Sequence, residues 1–176
     1  MKRALLSSFI LILISSCGYV IVRATPEVDP QGAPVPVTQL GPKRSGPRWS
    51  YGNSSMLDAL RVVIRDREAW LDFWKRSYRP NPELPPSPEI DFSREMIVVA
   101  ALGQRPNSGY GIIIESAYER DNQLEINVRS ISLKGCGVWT VITSPIDIVR
   151  IPKTERPVVF REIEAVRDCS GRQPKI

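Results

Sequence analysis

Histidine is absent from this 176-residue sequence. That one gap removes the usual general base near neutral pH, Ser-His-Asp and Cys-His nucleophile pairs, and nearly all common zinc and iron sites. Runs of four or more basic residues are also missing. The formal charge is +5, but Lys2 and Arg3 belong to an N-terminal basic start, and without them 22 basic groups face 19 acidic ones, a net +3. Nucleic-acid binding needs a concentrated basic face that displaces counterions, and none is written here. Cysteine is scarce, with three residues in all, so its pairing can be argued from parity. The acidic pairs Glu162/Glu164 and Asp91/Glu95 carry no glycosidase signature, because carboxylate catalysis depends on a separation in space. No catalytic residue, metal ligand or cofactor motif is expected.

The N-terminus reads as a targeting segment. Met1-Lys2-Arg3 is a short positive start, residues 4–14 are an apolar core, and Ile14-Ser15-Ser16-Cys17 has the form of a lipobox. In bacterial lipoproteins the cysteine thiol is diacylated, the peptide is cut before it, and the new amino terminus is acylated, so palmitate-type chains are expected on Cys17. Several chains give lasting attachment where one is marginal. The alternative is an uncleaved helical anchor, since residues 4–22 are just long enough to span a bilayer. Both readings place the rest of the chain in the cell envelope, attached to a membrane through the N-terminus and facing the periplasm or the cell surface. Glycine rather than aspartate follows Cys17, so the inner-membrane retention signal of some bacteria is absent. If Cys17 carries lipid, Cys136 and Cys169 remain as a pair in an oxidising compartment. A bridge between them closes a loop of about thirty residues, worth roughly 3 kcal/mol by the chain-entropy model. Two unrelated thiols are the alternative.

Proline, at 16 residues, is abundant and unevenly placed. Residues 25–48 hold six prolines among glycine, serine and charge, with no period of 2 or 3.6, so an extended or disordered spacer is expected. This divides the chain into a signal peptide at 1–16, a proline-rich tether at 17–48 and a β-rich domain at 49–176.

Within that domain residues 60–64 read as a strand. Asp66 is a helix N-cap, and Ala69, Trp70, Phe73 and Trp74 form one apolar stripe on a helix over residues 67–76. Burial of that stripe against a sheet is expected. Residues 96–102 are a continuous apolar run, the mark of a strand covered on both faces. Leu124, Ile126 and Val128 alternate with Glu125, Asn127 and Arg129, a strand with one wet face, and Asp121-Asn122 turns into it from a strand over residues 110–117. Residues 138–143, 146–152 and 158–163 are further strand candidates. The fold class is therefore mainly β, a β-sandwich or rolled antiparallel sheet, with one short packed helix.

Residues 103–111 (GQRPNSGYG) are the most distinctive stretch. One reading is a β-hairpin connection with Asn107 or Gly109 at positive φ and Tyr110 packed. The other is a presented loop whose Arg105, Pro106, Asn107, Ser108, Gly109 and Tyr110 face a partner. It is not a phosphate cradle, since no helix, lysine or threonine completes a P-loop. Trp139, beside Cys136, is expected to pack in the core, given the area a tryptophan buries.

Three stretches taken together resemble the C-terminal domain of the protease complex subunit PrcB family. They are residues 69–74 (AWLDFW), 90–99 (IDFSREMIVV) and 102–110 (LGQRPNSGY). Thr143-Ser144-Pro145 and Ile151-Pro152-Lys153 stand where the family has a threonine-proline-type junction and an isoleucine-proline-lysine strand end. The match covers about residues 57–160. The resemblance implies a non-catalytic envelope lipoprotein that binds or stabilises another envelope protein, in the naming case a protease. The Asn-Ser-Gly-Tyr turn is also similar to the Asn-Pro-Thr-Thr-Gly-Tyr loop of chagasin-like inhibitors, which implies a protease inhibitor working through residues 105–110. This chain lacks the proline-threonine pair. A histidine-free hydrolase of envelope polymers is the alternative from another class, and a clustered pair of buried carboxylates would mark it.

The lipidation reading is checked directly: Cys17→Ala should abolish fatty-acid labelling of the chain in cells, and undiminished labelling would refute it.

Overall fold

The structure is a computed structural model that describes residues 32–40, 54–77 and 86–169. The expected signal segment, Cys17 and most of the expected tether lie outside these residues.

Among the described residues eight strands and one helix follow in the order β1 (Ala33–Val35), β2 (Thr38–Gln39), β3 (Leu60–Ile64), α1 (Arg67–Ser77), β4 (Glu95–Ala101), β5 (Tyr110–Arg120), β6 (Gln123–Lys134), β7 (Ile146–Pro152) and β8 (Val158–Asp168). They form two four-stranded sheets, ordered β1-β5-β6-β8 and β2-β7-β4-β3. The chain is thus mainly β, as its short apolar runs and frequent turns imply.

Packing follows from the alternation of side chains across each strand. On β4, Met96, Val98 and Ala100 point between the sheets, where they meet Ile112 and Ile114 of β5, Leu124, Ile126 and Val128 of β6, and Val149 and Ile151 of β7. The other β4 face, Ile97, Val99 and Ala101, packs under the helix with Trp70, Phe73 and Trp74. Strand β4 is therefore buried on both faces, which explains its unbroken apolar run. The helix starts as the sequence suggests, with the Asp66 Oδ1 accepting from the Ala69 amide at 2.8 Å. Its buried stripe is Trp70, Phe73, Trp74 and Ser77, while Ala69 faces outward. Trp70 satisfies its indole N–H on the Pro88 carbonyl at 3.2 Å.

Several expectations are corrected. Residues 33–39, read as part of the tether, are extended but paired: β1 lies against Ala117–Glu119 of β5, and β2 against Val149 and Arg150 of β7. Val35 and Val37 pack on the inter-sheet core, so the two valines of this proline-rich stretch are what dock it. Prolines there are tolerated because both strands are edges, where a missing N–H faces away from the ladder. The sheets are not wholly antiparallel, since β6 and β8 pair in parallel over eleven rungs from Leu124↔Val158 to Lys134↔Asp168. Residues 138–143 form no strand; only Thr143 makes an isolated bridge, with Arg105. Residues 103–109 are not a hairpin either, because β4 and β5 belong to different sheets.

The turn at Asp121-Asn122 is as expected. Both residues take positive φ, 46° and 63°, the geometry of a tight hairpin between antiparallel strands. The outer face of the β5-β6 sheet is held by ion pairs. Arg129 grips Glu115 with two N–H groups at 2.5 and 2.9 Å, and Arg161 donates to Glu125 at 3.1 Å. The Arg161 hydrogen bond, helped by Gln123 and opposed by desolvation, holds the Glu125 carboxyl below the usual carboxylate value.

A depressed folded-state value stabilises the fold above the unfolded value and is lost as pH falls through the folded one. The melting-temperature gap between the natural protein and Glu125→Gln should therefore be constant from pH 7 to about 5 and shrink below the ordinary glutamate value of 4.5. A gap that stays level down to pH 2 would contradict the Arg161 assignment.

Candidate functional site

The end of the sandwich where β4 finishes and β5 begins is built from two loops, 102–109 and 135–145. Gly103 opens the first. It sits at φ 72°, and a Cβ there would come within 2.6 Å of the Leu57 carbonyl oxygen, so only glycine fits. The Gln104 amide then bonds to that same Leu57 carbonyl at 2.9 Å. Neither Asn107 nor Gly109 is at positive φ. Asn107 instead closes an Asx turn, its Oδ1 accepting from the Gly109 amide at 2.9 Å. Gly109 sits close under the second loop: a Cβ there would lie 2.9 Å from both the Asn107 Oδ1 and a Val138 methyl, so those side chains would have to give way.

The two loops are stitched together by main-chain and hydroxyl bonds. Arg105 and Thr143 exchange amide–carbonyl bonds at 2.7 and 3.0 Å, and the Thr143 hydroxyl donates to the Asn107 carbonyl at 3.0 Å. Ser108 holds Trp139 from both sides: its amide donates to the Trp139 carbonyl at 3.0 Å, and its hydroxyl accepts from the Trp139 amide at 2.8 Å. A Cys136–Cys169 disulfide, Cα–Cα 4.9 Å, ties the start of the second loop to the end of β8. The parallel pairing of β6 and β8 makes this possible, since it brings Lys134 and Asp168 level as the last rung.

The residues expected to face a partner are thus one contiguous structure, but they are not equally displayed. Pro106 is exposed, Arg105, Asn107, Ser108 and Tyr110 are half-buried, and Gly109 is buried. Tyr110 packs against the inter-sheet core, with the Arg105 guanidinium 5.8 Å above its ring. Arg105, Pro106 and Tyr110 also wall a shallow open depression of about 470 Å³, completed by Ser130, Ser132 and Glu164. Trp139 reverses its expectation. It is 80% exposed, beside Val141 at 52% and Ile142 at 62%, all on the loop that was read as a strand. The sequence signal for this was the residue pattern itself. Gly135, Gly137 and Pro145 bracket a stretch in which β-branched residues give strand propensity but no ladder partner exists.

Four of the acids are engaged structurally. Asp147, 2% exposed between the sheets, accepts from the Ile114 amide at 2.7 Å and from Gln39 at 3.2 Å. Glu162 is held by Arg61 through two bonds at 2.7 and 2.9 Å, and Glu95 lies 3.5 Å from Arg150. Asp91 closes its own turn on Ser93, which together with nearby Arg94 lowers its carboxyl below the usual value. No group of three or more metal-ligating side chains gathers among the described residues.

What these features define is a helix-backed β-sandwich module that presents a stapled two-loop end. Residues 96–152 match the model of the family described as PrcB C-terminal. Over that segment, which runs from β4 through β7 and contains both loops, the chain resembles the PrcB C-terminal family, as its motifs indicated. Comparison with curated proteins and with solved structures gives no match.

The staple is open to a direct check. Replacing Cys136 and Cys169 together by serine should cost roughly 3 kcal/mol of unfolding free energy, measured by denaturant titration. An unchanged midpoint would mean that the hydrogen bonds to residues 105–109 hold the second loop unaided.

Proposed function

We propose that this chain is a lipid-anchored accessory subunit of an envelope protease complex, non-catalytic itself, that acts by binding a protein partner through its two-loop end. The observation that carries this reading is the PrcB C-terminal match, because it spans the segment that builds both loops. The site chemistry is in keeping with binding rather than turnover. Its polar groups are spent on holding loop shape, and the described buried acids, Asp147 and Glu125, each have a structural partner and sit on different sheets. The segment proposed for the partner is Arg105, Pro106, Asn107, Ser108, Gly109 and Tyr110, in which Pro106 is exposed, Arg105, Asn107 and Ser108 also shape the neighbouring loop, and Gly109 and Tyr110 support it from beneath. Anchoring through Cys17 and a position facing the periplasm or cell surface rest on the lipobox. The inhibitor reading draws less support, since Tyr110 turns to the core rather than projecting.

The test is isolation of the full chain from detergent-solubilised envelope, beside Gly109→Val and a control at the opposite end, Asp121→Lys. In Gly109→Val the new side chain crowds Val138 and the Asn107 carboxamide, one from each loop, and is expected to disturb how the loops meet. A protease-complex component that co-purifies with the natural chain and the control but is depleted at least tenfold with Gly109→Val is the expected result. Co-purification indifferent to that substitution would remove the loops from the interface, and no co-purifying protein would refute the accessory reading.

A further inference from the structure

The loop over residues 135–145 has a composition unlike the rest of the surface. From Gly135 to Ile146 there is no charged residue, and Val138, Trp139, Val141 and Ile142 account for four of the six exposed large apolar side chains among the described residues. A scattered exposed leucine needs no explanation, but a tryptophan and three aliphatics within five residues of one loop are a concentrated apolar surface.

The loop is also held in shape. The disulfide fixes one end, the Arg105–Thr143 bridge fixes the other, and Ser108 fixes the Trp139 backbone between them. None of these contacts buries the Trp139 side chain. Backbone order without side-chain burial is what a preorganised contact element requires, because the entropy of loop ordering is already spent before association.

Two occupants suit an exposed tryptophan, a pocket on a protein and a membrane interface. The path of the chain favours the protein. The segment leading from the N-terminus enters the sheet at β1, where Ala33 pairs with Glu119, at the end of β5 opposite Tyr110. Nine residues of strand separate the two ends, about 30 Å. Within the described domain the apolar loop therefore lies at the end away from that entry. Charge then describes the partner. Among the described residues Arg105 beside the loop, Lys134 just before it and Arg167 across the β6-β8 ladder make no ion pair, three cations against Glu164 of the same end, since Asp168 has a partner.

We propose that the disulfide-stapled loop 136–143 is the principal docking element of this chain, Trp139 entering an apolar pocket on a protein partner whose rim carries carboxylates. This deepens the accessory-subunit reading and rests on it. Residues 105–110 are then a scaffold that sets the loop, with Pro106 at the rim. Tryptophan at the centre of an interface is a common anchor, and rim charges steer approach more than they hold the complex.

The experiment places a photo-crosslinking benzophenone amino acid at Thr140, Pro106 or Asp121 of the full chain in cells, leaving Trp139 in place. The expected result is an adduct from Thr140 to one protein, attached within an apolar segment that contains aspartate or glutamate, and none from Asp121. Trp139→Ala should then weaken binding of that protein about thirtyfold or more, as for an interface hot spot, with an unchanged melting temperature because the side chain is exposed. Lys134→Glu with Arg167→Glu should weaken it severalfold, mainly by slowing association. Adducts to lipid alone, or to a second copy of this chain alone, would overturn the proposal. Protein adducts from Pro106 without any from Thr140, or binding unaffected by Trp139→Ala, would overturn it while leaving the accessory reading standing. No protein adduct from either position would remove both.

Discussion

A strand with apolar side chains on both faces can lie only in the interior of a sheet and only between two apolar layers, and β4 imposes that condition on everything around it. Met96 to Ala101 are all fully buried. Partners are needed on both edges, which β3 and β7 supply, and covers are needed on both faces. One cover is the β5-β6 sheet and the other is the aromatic face of α1. The helix is therefore not an appendage: without Trp70, Phe73 and Trp74, the Ile97, Val99 and Ala101 side of the strand would face water. The two-loop end inherits its position from the same strand, because Gly103 leaves β4 where the sandwich ends and the chain must cross to the other sheet.

Two polar devices finish what the apolar layers begin. At one margin Arg61 of β3 and Glu162 of β8 form a two-bond ion pair that links the edge strands of the two sheets. Nearer the other margin the carboxylate of Asp147, on β7, takes the amide of Ile114 beside the irregularity in β5 where the register shifts. A buried acid is costly unless donors surround it, and an unpaired amide at a bulge is costly too, so each satisfies the other. These contacts fix how one sheet lies on the other in a way that methyl packing alone does not.

Most of the fold was legible in the sequence, and the exceptions have physical causes. Periodicity located β3, α1, β4, β5, β6 and β7 because their burial pattern is carried by their own residues. It failed at residues 33–39, where proline content argued against pairing and two valines, too few to make a period, carry the docking. It failed again at 138–143, where valine, isoleucine and threonine favour a strand but the backbone they meet is the loop at 105–108, which offers one bridge and no ladder. The parallel sense of that ladder could not be read, since alternation is the same in either direction. For the candidate site, the glycine, proline and asparagine of residues 103–109 marked a loop correctly. They could not reveal that the exposed face belongs to a second loop joined to it only in three dimensions. The exposure of Trp139 was hidden for the same reason, as tryptophan is ordinarily a core residue.

Strand β1 is short, three residues against Ala117, Tyr118 and Glu119, and it runs antiparallel to β5 with its first residue at the end away from the loops. Its direction has a mechanical meaning. A chain drawn from its N-terminal side and restrained at the loop end is loaded along the strand axis, so the rungs between β1 and β5 share the force at once rather than parting one by one. An attachment entering from the opposite side would have unzipped the same three rungs in sequence. Entering in this direction, the small strand hands any load to β5 through three rungs together.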